Sequence, residues 1–156
     1  METAKQVSVF LENKPGRLAN VLRAFERQKI NVTGLTVMDS HEHSVLRVVT
    51  SDLSRTEQVL KELSTPFTAT DVLLVELKNQ PGALAHVCEQ LAGEHINIEY
   101  CYVSSGGRNG KVLGIFKVSS HDKATRVLNG SANHTAPKKK SVKRPLRDRR
   151  SYSEME

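Results

Sequence analysis

The chain has 156 residues, 38% hydrophobic and 4% aromatic, with a formal net charge of +6, a length that fits one ordinary domain or two small ones. No apolar run approaches the ~18 residues that a membrane helix needs, and Met1–Lys5 lacks the basic-then-apolar pattern of a secretory signal, so the expected setting is cytoplasmic with no membrane partner. The charge is uneven: residues 130–156 hold eight Lys/Arg against three Asp/Glu and residues 1–129 hold fifteen against fourteen, so the high pI is no evidence that the folded part binds nucleic acid.

In chain order, Val7, Val9 and Leu11 alternate with polar neighbours, which predicts a strand with one buried face. Asn13 to Gly16 breaks it. From Pro15 onward Leu18, Val21, Leu22 and Phe25 follow helical spacing, and proline near a helix start removes only an N–H that would be unpaired there anyway. Ile30 to Met38 is a second strand, Asp39 to His43 a polar hairpin connection, and Ser44 to Thr50 a third strand. Ser51 or Asp52 can cap a second helix that buries Leu53, Val59, Leu60 and Leu63. Pro66 to Thr70 reads as a short fourth strand, completing β-α-β-β-α-β, the ferredoxin-like α+β unit: a four-stranded antiparallel sheet with two helices on one face.

The series then begins again. Val72 to Lys78 is a strand, Pro81 to Glu94 a helix, Ile96 to Val103 a strand, Ser104 to Gly110 a turn, Lys111 to Val118 a strand, and His121 to Leu128 a helix. The second series is a copy of the first. Asn13-Lys14-Pro15-Gly16-Arg17-Leu18-Ala19 returns as Asn79-Gln80-Pro81-Gly82-Ala83-Leu84-Ala85, and Ile30-Asn31-Val32 as Ile96-Asn97-Ile98, at a constant offset of 66 residues. A period this long is a domain, since solenoid units run to about 20–50 residues. The expected organisation is domain one at 5–71, domain two at 72–130 and a basic tail at 131–156. A fourth strand for the second copy should fall near 132–137, where Ser131 to Pro137 is only weakly apolar. The tail has little to bury and is expected to be disordered. Cys88 and Cys101 show no metal spacing and are expected to be two buried thiols.

A strand ending in Asn-x-Pro-Gly, a helix opening x-Leu-Ala, and Ile-Asn-Val or Ile-Asn-Ile at the next strand resembles the ACT domain, and both copies carry all of it, over roughly residues 5–128. The resemblance implies a small-molecule sensor that takes an amino acid at an interface between two ACT units and controls an enzyme or regulator protein. The residues offer no acid–base or nucleophile pair, so neither catalysis nor a cofactor is expected, and the arrangement allows a homodimer. The chain looks like the stand-alone tandem type, departing from it in the weak last strand and the basic tail.

The residues themselves supply parts for such a site. Gly16 and Gly82 let the backbone bend sharply and approach a ligand. The first N–H groups of each following helix, at Gly16-Arg17-Leu18 or Gly82-Ala83-Leu84, suit a carboxylate. An ammonium needs acceptors, available from the side chains of Asn13, Asn31, Asn79 and Asn97 or from backbone carbonyls beside Val32 and Ile98. Glu99 adds a charged partner with only Thr33 as its counterpart, so the two sites are not equivalent. Ala83 leaves room that Arg17 would fill, although Arg17 could itself clamp a carboxylate. Asn-x-Pro-Gly is equally an ordinary turn.

Other constellations are discounted. His41-Glu42-His43 lacks a third metal ligand, His86 and His95 have no acid or nucleophile beside them, and Gly106 to Lys111 has the wrong spacing for a phosphate loop. Tyr100 and Tyr102 are too few aromatics for base stacking on the sheet. The rival reading is a scaffold whose repeats only dimerise while its basic tail holds nucleic acid or an acidic partner weakly.

Overall fold

The computed structural model describes residues 1–39, 43–104 and 111–130, which form β1 (Glu2–Glu12), α1 (Arg17–Arg27), β2 (Val32–Asp39), β3 (His43–Thr50), α2 (Leu53–Glu62), β4 (Phe67–Leu77), α3 (Ala83–Gly93), β5 (Ile98–Ser104), β6 (Val112–Val118) and α4 (His121–Gly130). The expected tail, the fourth strand sought near 132–137, the loop from Ser105 to Gly110 and His41-Glu42 lie outside the described residues. Local chemistry sets the helix ends. Asp52, not Ser51, caps α2 by accepting from the Arg55 N–H at 3.0 Å. Helices α1 and α3 close in the same way: Lys29 and His95 both take φ 55°, and the next N–H reaches back, Ile30 to Phe25 O and Ile96 to Leu91 O, at 2.9 Å each. This is the wrapped C-terminal turn that satisfies otherwise orphaned helix carbonyls.

The α+β class and βαββαβ element order hold, but the strands share one six-stranded sheet in the order β2-β3-β1-β4-β6-β5, with every described neighbour antiparallel. The fourth strand of copy one and the first strand of copy two, expected as separate pieces, are the two halves of β4, which runs unbroken from Phe67 to Leu77. Strands β1 and β4 pair about a local two-fold axis. Lys5 stands opposite Asp71, residues that lie one repeat offset (66) apart. Exchanging the copies turns the Glu2–Leu74 pair into the Thr68–Ser8 pair. The first half of β4 therefore serves copy one as its fourth strand, and the first half of β1, Glu2 to Lys5, does the same for copy two.

Alternation along the strands divides the apolar residues. On one side Val7, Val9, Leu46 and Val48 pack with Val21 and Phe25 of α1 and with Val59 and Leu60 of α2. On that same side Leu73, Val75, Phe116 and Val118 pack with Val87 and Leu91 of α3 and with Ala124 of α4. The helix-free side has its own core of Val49, Val72, Leu74, Leu113 and Ile115. That side is folded inward. Gln6 on β1 hydrogen-bonds both Tyr100 and Tyr102 of β5 at 2.9 and 3.0 Å, although β4 and β6 lie between them. On a flat sheet three strand spacings of about 4.8 Å would hold these groups apart. The two sheet edges meet where Ser104 Oγ donates to Thr33 O at 2.9 Å, and a Cβ at Gly34 would lie 2.8 Å from Ile115 Cδ1. The sheet is thus rolled, helices outside, almost to a barrel. The expectation of two buried thiols fails: Cys88 is half-buried and Cys101, on the outer side of edge strand β5, is exposed, because no helix covers that edge.

Candidate functional site

The Asn-x-Pro-Gly loops lie at opposite ends of the sheet, because they follow the antiparallel strands β1 and β4. Their backbones are near-identical. Gly16 and Gly82 have φ 85° and 87°. Lys14 N–H donates to Glu12 O and Gln80 N–H to Lys78 O at 2.8 Å; Arg17 N–H donates to Lys14 O and Ala83 N–H to Gln80 O at 3.3 Å. A left-handed glycine ahead of each helix is a backbone requirement, since other L-residues are strained there. Neither α1 nor α3 has a side-chain cap, and open space surrounds the missing Cβ of both glycines. Each helix therefore opens toward solvent with the positive end of its dipole uncovered by a side-chain oxygen.

The side chains around the two loops differ. In copy one the Glu12 carboxylate binds Arg17 at 2.7 Å and Lys14 at 3.2 Å. These two cations, Arg17 foremost, hold the Glu12 carboxyl below the usual glutamate range. Arg17 and Glu12 also border a shallow cleft with Phe10, Leu63 and Pro66. In copy two the corresponding positions are Lys78, Gln80 and Ala83, and no ion pair among the described residues involves Lys78.

The remaining candidate residues separate by burial. Leu18 and Val32 pack on the core of copy one, and Ala83 and Ile98 on that of copy two, so only their backbone groups are available to a ligand. Asn13, Asn31, Asn79, Asn97 and Glu99 are exposed, and Leu84 is 37% exposed. The two strand-opening asparagines are placed alike: Asn31 N–H donates to Ser51 Oγ at 3.0 Å and Asn97 N–H to Ser119 Oγ at 3.1 Å. Strand direction puts Asn31 at the same end of the sheet as the Gly82 loop, and Asn97 at the same end as the Gly16 loop. The strand order separates each from that loop's strand: β3 and β1 stand between β2 and β4, and β4 and β6 between β1 and β5. Among the described residues no group of three or more His, Cys, Asp or Glu could hold a metal ion. No helix among them is long and apolar enough to cross a membrane.

One cluster escaped the sequence reading. Gln6 is fully buried on the inner side of the roll, donating to Ser8 Oγ at 3.2 Å and to the Tyr100 hydroxyl at 2.9 Å, and accepting from Tyr102. Burial raises the Tyr102 phenol well above the usual tyrosine range, so it stays a neutral donor. The signal was present in the repeat: the counterparts of Gln6 and Ser8 are Val72 and Leu74, both apolar.

Comparison with known proteins agrees with this architecture. Protein BT0572 from Bacteroides thetaiotaomicron is 34% identical over 83% of this chain and 89% of its own, with a TM-score of 0.77. The regulatory subunit of aspartate kinase from Thermus thermophilus, in its ligand-free form, shares the fold at 16% identity, covering 84% of this chain and 97% of its own with a TM-score of 0.59. The corresponding subunit from Thermus flavus does so at 18% identity, covering 85% and 97%, with a TM-score of 0.54. No curated protein matches. The family model described as an ACT domain pair matches residues 2–139, and the chain belongs to that family.

Proposed function

We propose that this protein is a non-catalytic regulatory subunit that binds a free amino acid and passes its occupancy to an enzyme or regulator protein. The observation that carries the reading is the opening of α3. A left-handed Gly82 opens α3 with no side-chain cap and open space at its own Cβ position, so that beyond the Ala83 N–H, which Gln80 O accepts, the first-turn N–H groups meet no side-chain oxygen cap, and Lys78, four residues upstream, is in no ion pair among the described residues. The effector's carboxylate takes those N–H groups, and its ammonium takes Asn79 or a backbone oxygen. At the Gly16 loop Glu12 already neutralises Arg17 and Lys14, so copy two is the stronger carboxylate acceptor. Aspartate kinase regulatory subunits share the fold, which supports a regulated enzyme as partner.

A ligand that bridges two units draws its second face, Asn97, Ile98 and Glu99 or Asn31 and Val32, from a second copy. Binding then stabilises a homodimer and biases the surface offered to the partner. A thermal-shift series with the twenty amino acids, followed by titration calorimetry of the hit, tests this. Ligand at a hundredfold over its Kd stabilises the native state by about 2.7 kcal/mol. Gly82→Val, folded but with a lower Tm because its backbone is strained at φ 87°, should lose the shift, while Gly16→Val, strained in the same way, should retain it. Retention in Gly82→Val would defeat the assignment.

A further inference from the structure

The repeat makes an internal control for the inner side of the rolled sheet. At one end of the roll Val72, Leu74 and Leu113 join Ile115 and Val49 in a closed apolar core. At the other end the positions equivalent to those first three are Gln6, Ser8 and Arg47. Two copies of one backbone thus bury hydrocarbon at one end and present polar groups at the other. Gln6 is satisfied by its neighbours. Arg47 is half-buried and forms no ion pair among the described residues. Its guanidinium lies over the Tyr100 ring at 3.8 Å from the centroid and donates to Met38 Sδ. Ser8 and Thr36 face it across the neighbouring strands. Stacking fixes the plane of a guanidinium and leaves its remaining N–H donors aimed along that plane.

The apolar groups beside it lie on the same side of the sheet toward the end of the roll. Phe10 is 41% exposed and Met38 47% exposed, with Val45 half-buried between their strands as the partner of both. By the same alternation Lys117, opposite Tyr100, and Glu12, two residues beyond Phe10, also fall on this side; Arg17 and Lys14 hold the Glu12 carboxylate, and Lys117 forms no ion pair among the described residues. A guanidinium held on a ring and free of ion pairs, with Lys117 across the ring's strand and an apolar rim, matches an anion bearing a hydrocarbon group, and the mouth of a rolled sheet is a common place for a ligand. We infer that this mouth is a second binding site, distinct from the glycine loops, in which Arg47 takes the carboxylate of a small organic acid and Phe10, Val45 and Met38 take its apolar remainder.

The test is a titration of the full-length, isotope-labelled protein with isovalerate, which has no ammonium group, and with its neutral amide as control. The Arg47 Nε–Hε resonance and the Tyr100 ring report locally. Isovalerate is expected to shift both saturably, in the wild type and in Gly82→Val alike, while the amide does not. Arg47→Gln should abolish the Tyr100 shift. Should that variant fail to fold, Arg47→Lys, which keeps the charge and loses the planar fork, should bind about tenfold more weakly. Absence of a saturable shift at Arg47, an equal response to the amide, or an undiminished Tyr100 response in Arg47→Gln would overturn the site.

Discussion

Lys29 and His95 hold equivalent places in the two copies and the same left-handed backbone, φ 55°. Non-glycine residues are disfavoured there by roughly 1–2 kcal/mol, and the turn they make is one that glycine usually occupies. Lys29→Gly and His95→Gly are each expected to stabilise the protein by about 1 kcal/mol, offset in part by the freedom glycine adds to the unfolded chain. Differential scanning calorimetry would read each as a rise of about 2–4 °C in Tm. A fall in Tm would mean that the Lys29 or His95 side chain contributes more than the strain costs.

Gly34 is constrained differently, by close approach rather than by its dihedral angles. An added methyl would meet the Cδ1 of Ile115, a fully buried residue, at 2.8 Å. Gly34→Ala is therefore expected to cost about 1–3 kcal/mol. Ile115→Val removes the obstructing atom, so the double variant should be more stable than the two single losses predict when added, and urea denaturation of all four proteins closes that cycle. Glu12 gives a pH signature. Its carboxyl titrates below the ordinary 4.5 because Arg17 and Lys14 favour the charged form. The folded-state value is depressed, so the loop's ion pairs persist at neutral pH and are lost as pH falls through that lowered value. Carbon-detected NMR titration of Glu12 should show this, and Arg17→Ala should move the midpoint back up.

At the scale of elements, legibility followed local chemistry. The alternation in Val7–Leu11, the helical spacing through Phe25 and the reset at the second Asn-x-Pro-Gly are all properties of short windows, and the α+β elements they predict are present. Where one strand ends and the next begins was not legible in the same way. Pro66 to Thr70 and Val72 to Lys78 read as two strands because a repeat boundary falls between them. The backbone has no reason to break there, since Ala69, Thr70 and Asp71 all find partners on β1. For the same reason the repeat offset points to a last strand of copy two near 132–137, whereas Glu2 to Lys5 sits beside that part of β4. The candidate loops were legible because proline and glycine mark backbone geometry directly. The Gln6–Tyr100–Tyr102 cluster was not, because residues 94 and 96 positions apart meet only after the sheet rolls. Deleting residues 1–5 should accordingly damage copy two more than copy one. Amide exchange should accelerate at Asp71 to Leu74, whose β1 partners are gone, before it does in β3.

At the scale of the whole molecule, the shared strands decide how the two copies depend on each other. Copy two's sheet is completed by Glu2 to Lys5, β4 runs unbroken through both units, and the inner side of the roll is lined by both. Neither copy can unfold without stripping hydrogen-bond partners and buried area from its twin. The pair is therefore expected to behave as one cooperative body despite its two separate outer cores. Tyrosine makes this testable in a Tyr152→Phe background, because the other two tyrosines, Tyr100 and Tyr102, lie on β5, in copy two, and the chain has no tryptophan. Phe25 is buried in the core of copy one, beneath α1. Phe25→Ala should cost about 3–5 kcal/mol. In urea the tyrosine signal of copy two should shift to a lower midpoint by the same amount as far-UV circular dichroism, with one transition by both probes. A tyrosine transition left at its wild-type midpoint would mean that the copies unfold separately. An effector bound at one loop would then have no route through the shared strands to the other end of the molecule.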